Sequence, residues 1–171
     1  RTSLTGMGGT FRFGKSGGKS GKIGQVFKFE TGITLRSPEL ELNDIGFMLT
    51  SNEINHFTWT GIHYQKPFAF FRNARLNYNH WSRWDYSGRF IHQAFNFNSH
   101  ATFRNNWQSG TGTTWTAYSI SNNALRGASS MRRPAGISHN YYLTSDYRKK
   151  VYANLSIFNF WGFGNTMKDN N

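Results

Sequence analysis

Phe68-Ala69-Phe70-Phe71-Arg72-Asn73-Ala74-Arg75-Leu76-Asn77-Tyr78-Asn79 and, one turn later, Phe95-Asn96-Phe97-Asn98-Ser99-His100-Ala101-Thr102-Phe103 decide how this chain folds. In the first stretch the even positions Phe68, Phe70, Leu76 and Tyr78 are apolar, while the odd positions carry Asn73, Arg75, Asn77 and Asn79. After Asp85-Tyr86-Ser87-Gly88 the phase swaps. Ile91, Phe95, Phe97 and Ala101 now take the apolar positions, and His92, Asn96, Asn98, His100 and Arg104 the polar ones. Period-two alternation marks a strand with two chemically different faces. A third case sets Val151, Ala153, Leu155 and Ile157 against Tyr152, Asn154 and Ser156. No apolar stripe of helical period runs for a useful length. The pattern predicts an all-β fold, an antiparallel up-and-down meander of roughly seven or eight strands.

Turn signals divide the rest. Short connections are expected at Gln65-Lys66-Pro67, at Gln108-Ser109-Gly110-Thr111-Gly112 and over 145–150, with a middling one at 82–88 and long ones at 36–54 and 122–136. The chain then reads as one unit: a Gly-rich strand and turn region 1–35, a long loop 36–54, a meander 55–163 and a tail 164–171. Alternate turns of a meander lie at opposite ends of the sheet, so one end holds the longer loops, as in outer-membrane barrels. The expected strands at 68–82 and 89–107 are long enough to cross a bilayer when tilted. Trp81 and Trp84 sit near one strand end, and Trp107 and Trp115 flank the turn expected at the other. Trp favours the headgroup level because its ring system has an apolar body and a polar tip.

Composition removes several classes. The chain has 171 residues, 37% of them hydrophobic, and no run long enough for a spanning helix. Sixteen Phe, eight Tyr and six Trp exclude a disordered basic tail. Cysteine is absent, which removes disulfides, Cys-ligated zinc and thiol catalysis from this stretch. The formal charge is +12, but the basic residues are scattered and no recognition helix appears, so no nucleic-acid partner is expected. Anionic lipopolysaccharide or a polar interior accounts for the same balance.

The tempting motifs are weak. Gly14-Lys15-Ser16-Gly17-Gly18-Lys19-Ser20 lacks the glycine that a phosphate loop needs five residues before Gly18, where Phe13 stands. Glu39, Glu41 and Asp44 form an acidic cluster compatible with Ca²⁺ or with paired-carboxylate hydrolysis, and equally with a polar loop. The six histidines show no ligand spacing; His92 and His100 share a face but lie roughly 26 Å apart along a strand. No metal, cofactor or catalytic residue is expected.

Ser37-Pro38-Glu39-Leu40-Glu41-Leu42-Asn43-Asp44-Ile45-Gly46-Phe47 resembles a signature of a large Bacteroidota family. In that family a domain similar to the family 9 carbohydrate-binding modules precedes a barrel domain of unknown function. The Gly-rich stretch before the motif and the Asn- and aromatic-rich strands after it resemble the same barrel region. The resemblance implies a Gram-negative outer-membrane location and a barrel completed by further strands. It implies no catalytic residues.

The expectation is therefore a non-enzymatic segment of an outer-membrane β-barrel for solute passage or docking, of a saccharide or peptide, or for scaffolding a surface complex. Asn73, Arg75, Asn77, Asn79, Asn96, Asn98, His100 and Arg104 would face the lumen. Phe68, Phe70, Leu76, Phe95, Phe97, Leu155 and Ile157 would face lipid. Long polar side chains, with few acids near them, would not pack inside a closed eight-strand barrel. The segment is expected to stay open, with strands from elsewhere in the chain or a partner completing it. Two alternatives remain at this point: a soluble glycan-binding β-sandwich stacking sugars on Trp81, Trp84, Trp107 and Trp115, and a glycan hydrolase built on Glu39, Glu41 and Asp44.

Overall fold

A computed structural model describes residues 5–22, 24–40, 50–121 and 131–164, together with the backbone of 168–170. Nine strands form a single antiparallel sheet: β1 (Gly8–Lys15), β2 (Gln25–Arg36), β3 (Glu53–Tyr64), β4 (Phe71–Trp84), β5 (Phe90–Phe103), β6 (Gln108–Thr116), β9 (Gly136–Thr144), β10 (Asn154–Gly162) and β11 (Lys168–Asn170). Each pairs with its neighbours in sequence, except that β6 pairs with β9 across a two-stranded hairpin of β7 (Ser119–Ser121) and β8 (Met131–Arg133). The meander is as expected. The Gly-rich region before residue 36 supplies two full strands of it.

The sheet is open. Among the described residues β1 pairs only with β2 and β11 only with β10, so the two edges do not meet. It is also a single layer. Buried apolar residues among those described are only Val26, Ile91, Ala94 and Ala135, whereas Phe11, Phe27, Leu76, Phe97 and Leu155 are at least half exposed or close to it. A soluble domain buries one face of a sheet against a second layer; here the β7–β8 hairpin stands over part of the polar face, and nothing described covers the apolar one.

Connections segregate by end. Residues 37–52, 85–89 and 117–135 join strands at one end, and 16–24, 65–70, 104–107 and 145–153 at the other. Two long loops fall on the same side.

Several boundaries differ from the sequence reading. Gln108–Gly112 is not a turn; it is the first half of β6. The turn is Arg104–Trp107, where Asn106 takes φ 66, a left-handed conformation Asn tolerates, and the Phe103 N–H donates to Trp107 O at 2.8 Å. Arg104 accordingly lies beyond β5. Phe68 and Phe70 lie in the 65–70 connection, with Phe68 bridged to Phe71. Between Phe71 and Asn73 the register shifts, so Arg72 is the extra residue of a bulge and the even apolar phase begins at Ala74. Tyr152 belongs to the turn before β10.

Candidate polar face and its arginine hollow

Directly paired residues in adjacent strands point to the same side of the sheet. Asn73, Arg75, Asn77 and Asn79 pair with Thr102, His100, Asn98 and Asn96, so seven of the eight interior candidates share one face. The register extends that face to His63, Gly61 and Trp59 on β3, to Thr114, Gly112 and Gly110 on β6, and to Asn140 and Tyr142 on β9.

The amides interlock. Asn77 Nδ2 donates to Asn98 Oδ1 at 2.7 Å, and Asn79 Nδ2 to Asn96 Oδ1 at 3.0 Å. Asn96 Nδ2 reaches Thr114 Oγ1 at 2.8 Å, and Asn98 Nδ2 donates to Asn96 Oδ1. The ladder thus crosses β4, β5 and β6. Each amide offers both donors and an acceptor, which is why Asn suits a lateral network on a polar face.

Glycine makes the longer bridges possible. His100 Nδ1 and Tyr142 Oη lie 2.9 Å apart although β6 runs between their strands. The β6 residue between them is Gly110, whose added Cβ would meet the Tyr142 ring and His100 Nδ1. Gly112 stands between Asn98 and Asn140 in the same way. Glycines that read as a turn are the gap across which two side chains meet.

Charge on this face is mostly positive. Arg12 pairs with Glu30 at 3.4 Å, and Glu53 is gripped by Arg36 at 3.1 Å and Arg83 at 3.4 Å. Lys28 and Arg75 stand on the same face, and neither is in an ion pair among the described residues. Glu30 is an acid that the sequence reading passed over, since it lies in the stretch read as Gly-rich. At the long-loop end the β7–β8 hairpin stands beside β5, and a hollow of ≈ 1000 Å³ opens between it and the face, lined by Glu53, Arg83, His92, Thr116, Arg132 and Arg133 among others.

The opposite face carries the exposed apolar residues: Phe27, Ile62, Leu76, Phe97, Leu155 and Ile157. It is interrupted by two polar patches. Near the long-loop end His56 and His80 approach to 5.7 Å, with Thr31 and Thr58 bonded to His56 and Ser82 and Gln93 to His80. On β6 and β9, Thr111 and Thr113 bond to His139. Strand partners far apart in sequence make these patches, so no spacing announced them.

The four tryptophans do not form one platform. Trp81 lies on the polar face, paired with Phe57 and Ala94. Trp84 and Trp115 lie on the apolar face at the long-loop end, Trp115 tilted against Phe95 at 5.4 Å between centroids. Trp107 sits in a turn at the other end. Trp107 and Trp115 therefore occupy opposite ends, because 108–112 is strand. Of the acidic cluster, Glu39 is exposed, while Glu41 and Asp44 lie outside the described residues. Among the described residues no three His, Asp or Glu side chains gather as metal ligands would.

Two buried carboxylates organise turns. Asp85 accepts from the Ser87 hydroxyl at 2.6 Å, the Arg89 N–H at 2.9 Å and Arg89 Nε at 2.9 Å. The Ser87 bond foremost holds its carboxyl below the usual range, against burial that pushes it up. Asp146 is held well below that range chiefly by the Arg148 side chain, at 2.8 and 2.9 Å, which in turn raises Arg148.

Fold and faces define an open, single-layer antiparallel meander with one polar and one apolar side. Residues 4–170 match the family described as a domain of unknown function (DUF5916), and the chain belongs to that family. No curated protein and no solved structure matches it.

Proposed function

We propose that this chain is a stretch of the wall of a Gram-negative outer-membrane β-barrel, non-enzymatic, through which a solute such as a saccharide or peptide passes or docks, or on which a surface complex is scaffolded. In this reading it belongs to a Bacteroidota protein whose barrel follows a carbohydrate-binding domain similar to family 9. The interlocked Asn face lines a hydrated interior, and the apolar face meets lipid. Strands from elsewhere in the chain or from a partner continue the sheet past β1 and β11, since an unpaired edge cannot persist in hydrocarbon.

The observation that carries the reading is the exposure of the apolar face beside a satisfied polar one. Phe97 is 64% exposed and Leu155 51%, and no second layer is described against them. On the polar side, no buried side-chain nitrogen or oxygen among the described residues lacks a partner. A soluble sandwich packs its apolar faces together and wets the polar ones. Lipid is the environment that completes this inversion without a second sheet.

Fractionation of the full-length protein tests it. It should remain in the membrane pellet through high-salt and carbonate washes and leave it only with detergent. Release into the wash as a folded β protein would contradict the reading.

A further inference from the structure

The hydrogen-bonded ladder of the polar face stops one row short of the short-turn end. Asn77 and Asn98 close it on β4 and β5. In the next row Arg75 of β4 stands between His63 of β3 and His100 of β5, its direct partners in register and so on the same side of the sheet. Asn73, Thr102 and Gln108 form the row after that, again by direct pairing. These two rows, with Gln65 and Tyr142, line a hollow of ≈ 330 Å³. Its imidazoles are anchored, His63 Nε2 on Asn77 Oδ1 at 3.4 Å and His100 Nδ1 on the Tyr142 hydroxyl at 2.9 Å. The other lining groups are not. Among the described residues the side chains of Gln65, Asn73, Arg75, Thr102 and Gln108 make no hydrogen bond or ion pair within the protein. No described carboxylate lines the hollow. On the elements around it, Glu30 of β2 is held by Arg12 at 3.4 Å, and Asp146, in the turn after β9, by Arg148 at 2.8 Å. Lys28, one polar row along from His63 on β2, adds a second cation outside any described ion pair.

A guanidinium without a protein partner presents its whole fork to a carboxylate or phosphate, and a concave wall strengthens its field. Carboxamides beside it offer both donors and an acceptor, which suits hydroxyl groups. The volume is at the small end of ligand sites, roughly 300–1,000 Å³. We infer that this hollow binds an anionic solute, a carboxylate or phosphate on a hydroxylated carbon skeleton, with Arg75 taking the charge and Gln65, Asn73 and Gln108 the hydroxyls. The inference deepens the solute-docking reading and rests on it for the solute's route; the binding chemistry itself does not require a membrane.

Equilibrium dialysis of the full-length protein in detergent micelles, against labelled glucose, glucuronate and glucose 6-phosphate, tests it. At least one anion should bind about 10-fold or more tighter than glucose, and which one does distinguishes carboxylate from phosphate recognition. Arg75→Gln should abolish that preference. Asn73→Asp, which keeps the side-chain shape and sets a carboxylate in the same hollow, should abolish it too, so the test survives if one variant misfolds. Arg133→Gln removes the same charge at the other end of the sheet and should leave the preference intact. Equal binding of all three sugars overturns the inference. So does an anion preference that survives Arg75→Gln or Asn73→Asp, or that Arg133→Gln reduces as much. Anion binding by a protein that washes off the membrane would refute the barrel and leave this site standing.

Discussion

Leu76 and Asn77 are adjacent in sequence and stand in opposite chemical worlds. Leu76 pairs with Ser99 on the apolar face and is 49% exposed; Asn77 pairs with Asn98 on the other and is hydrogen-bonded to it. The sheet is one residue thick, so the two faces cannot compensate for one another. Each must find its environment separately. The polar face largely completes itself, through amide ladders and the arginine grip on Glu53. The apolar face does not, and what it lacks is a covering medium. The asymmetry also explains where polar residues intrude on the apolar side. The His56–His80 patch lies no further than five residues from the strand ends at the long-loop side, and His80 shares its cross-strand row with Trp115. In the proposed barrel, that is where a tilted strand would leave hydrocarbon for the headgroups.

The strongest way to break this comparison is charge. Leu155→Arg or Phe97→Arg should lower the stability of the assembled protein by about 2–4 kcal/mol where the site lies near the bilayer midplane. Arg in place of Asn77 or Asn98 should cost less, because the new cation stands on the polar face, which the proposal puts in water. Urea titration of the protein in liposomes measures both sets, and equal losses would mean that both faces are packed in protein. A smaller effect should come from Gly110→Val. The new side chain would fill the gap through which His100 meets Tyr142, an overpacking cost of about 1–3 kcal/mol. The same exchange at Gly9, where an added Cβ meets nothing within 4 Å, should change stability far less.

Much of the sheet is legible in the order of residues alone. Alternation at Ala74–Tyr78 and Phe95–Ala101 gives strand, phase and facing directly, since side chains of a strand have no freedom to choose a side. The opposite ends of long and short loops follow from the meander. What the sequence hides is every feature made by pairing. Gly110 and Gly112 read as a turn because glycine's usual service is to turns, while the Asn105-Asn106 pair that makes the turn looks like more polar strand. Arg72 breaks the phase of β4 through a bulge that no composition rule marks. His100 and Tyr142 are 42 positions apart, and their bond exists only because β6 lies between them with a glycine at that register. The hollow at the long-loop end needs the β7–β8 hairpin beside β5, which no local pattern reveals.

The central claim is that neighbouring residues of one strand face lipid and water. These 171 residues contain no cysteine, so single reporters are clean once any cysteine elsewhere in the full-length protein is replaced by serine. Leu76→Cys, Asn77→Cys, Phe97→Cys and Asn98→Cys in the full-length protein would each carry an environment-sensitive fluorophore in liposomes. Spin-labelled lipid should quench positions 76 and 97 strongly and 77 and 98 weakly, and aqueous iodide should give the reverse order. Quenching without that alternation, or lipid quenching absent at all four positions, would contradict the account.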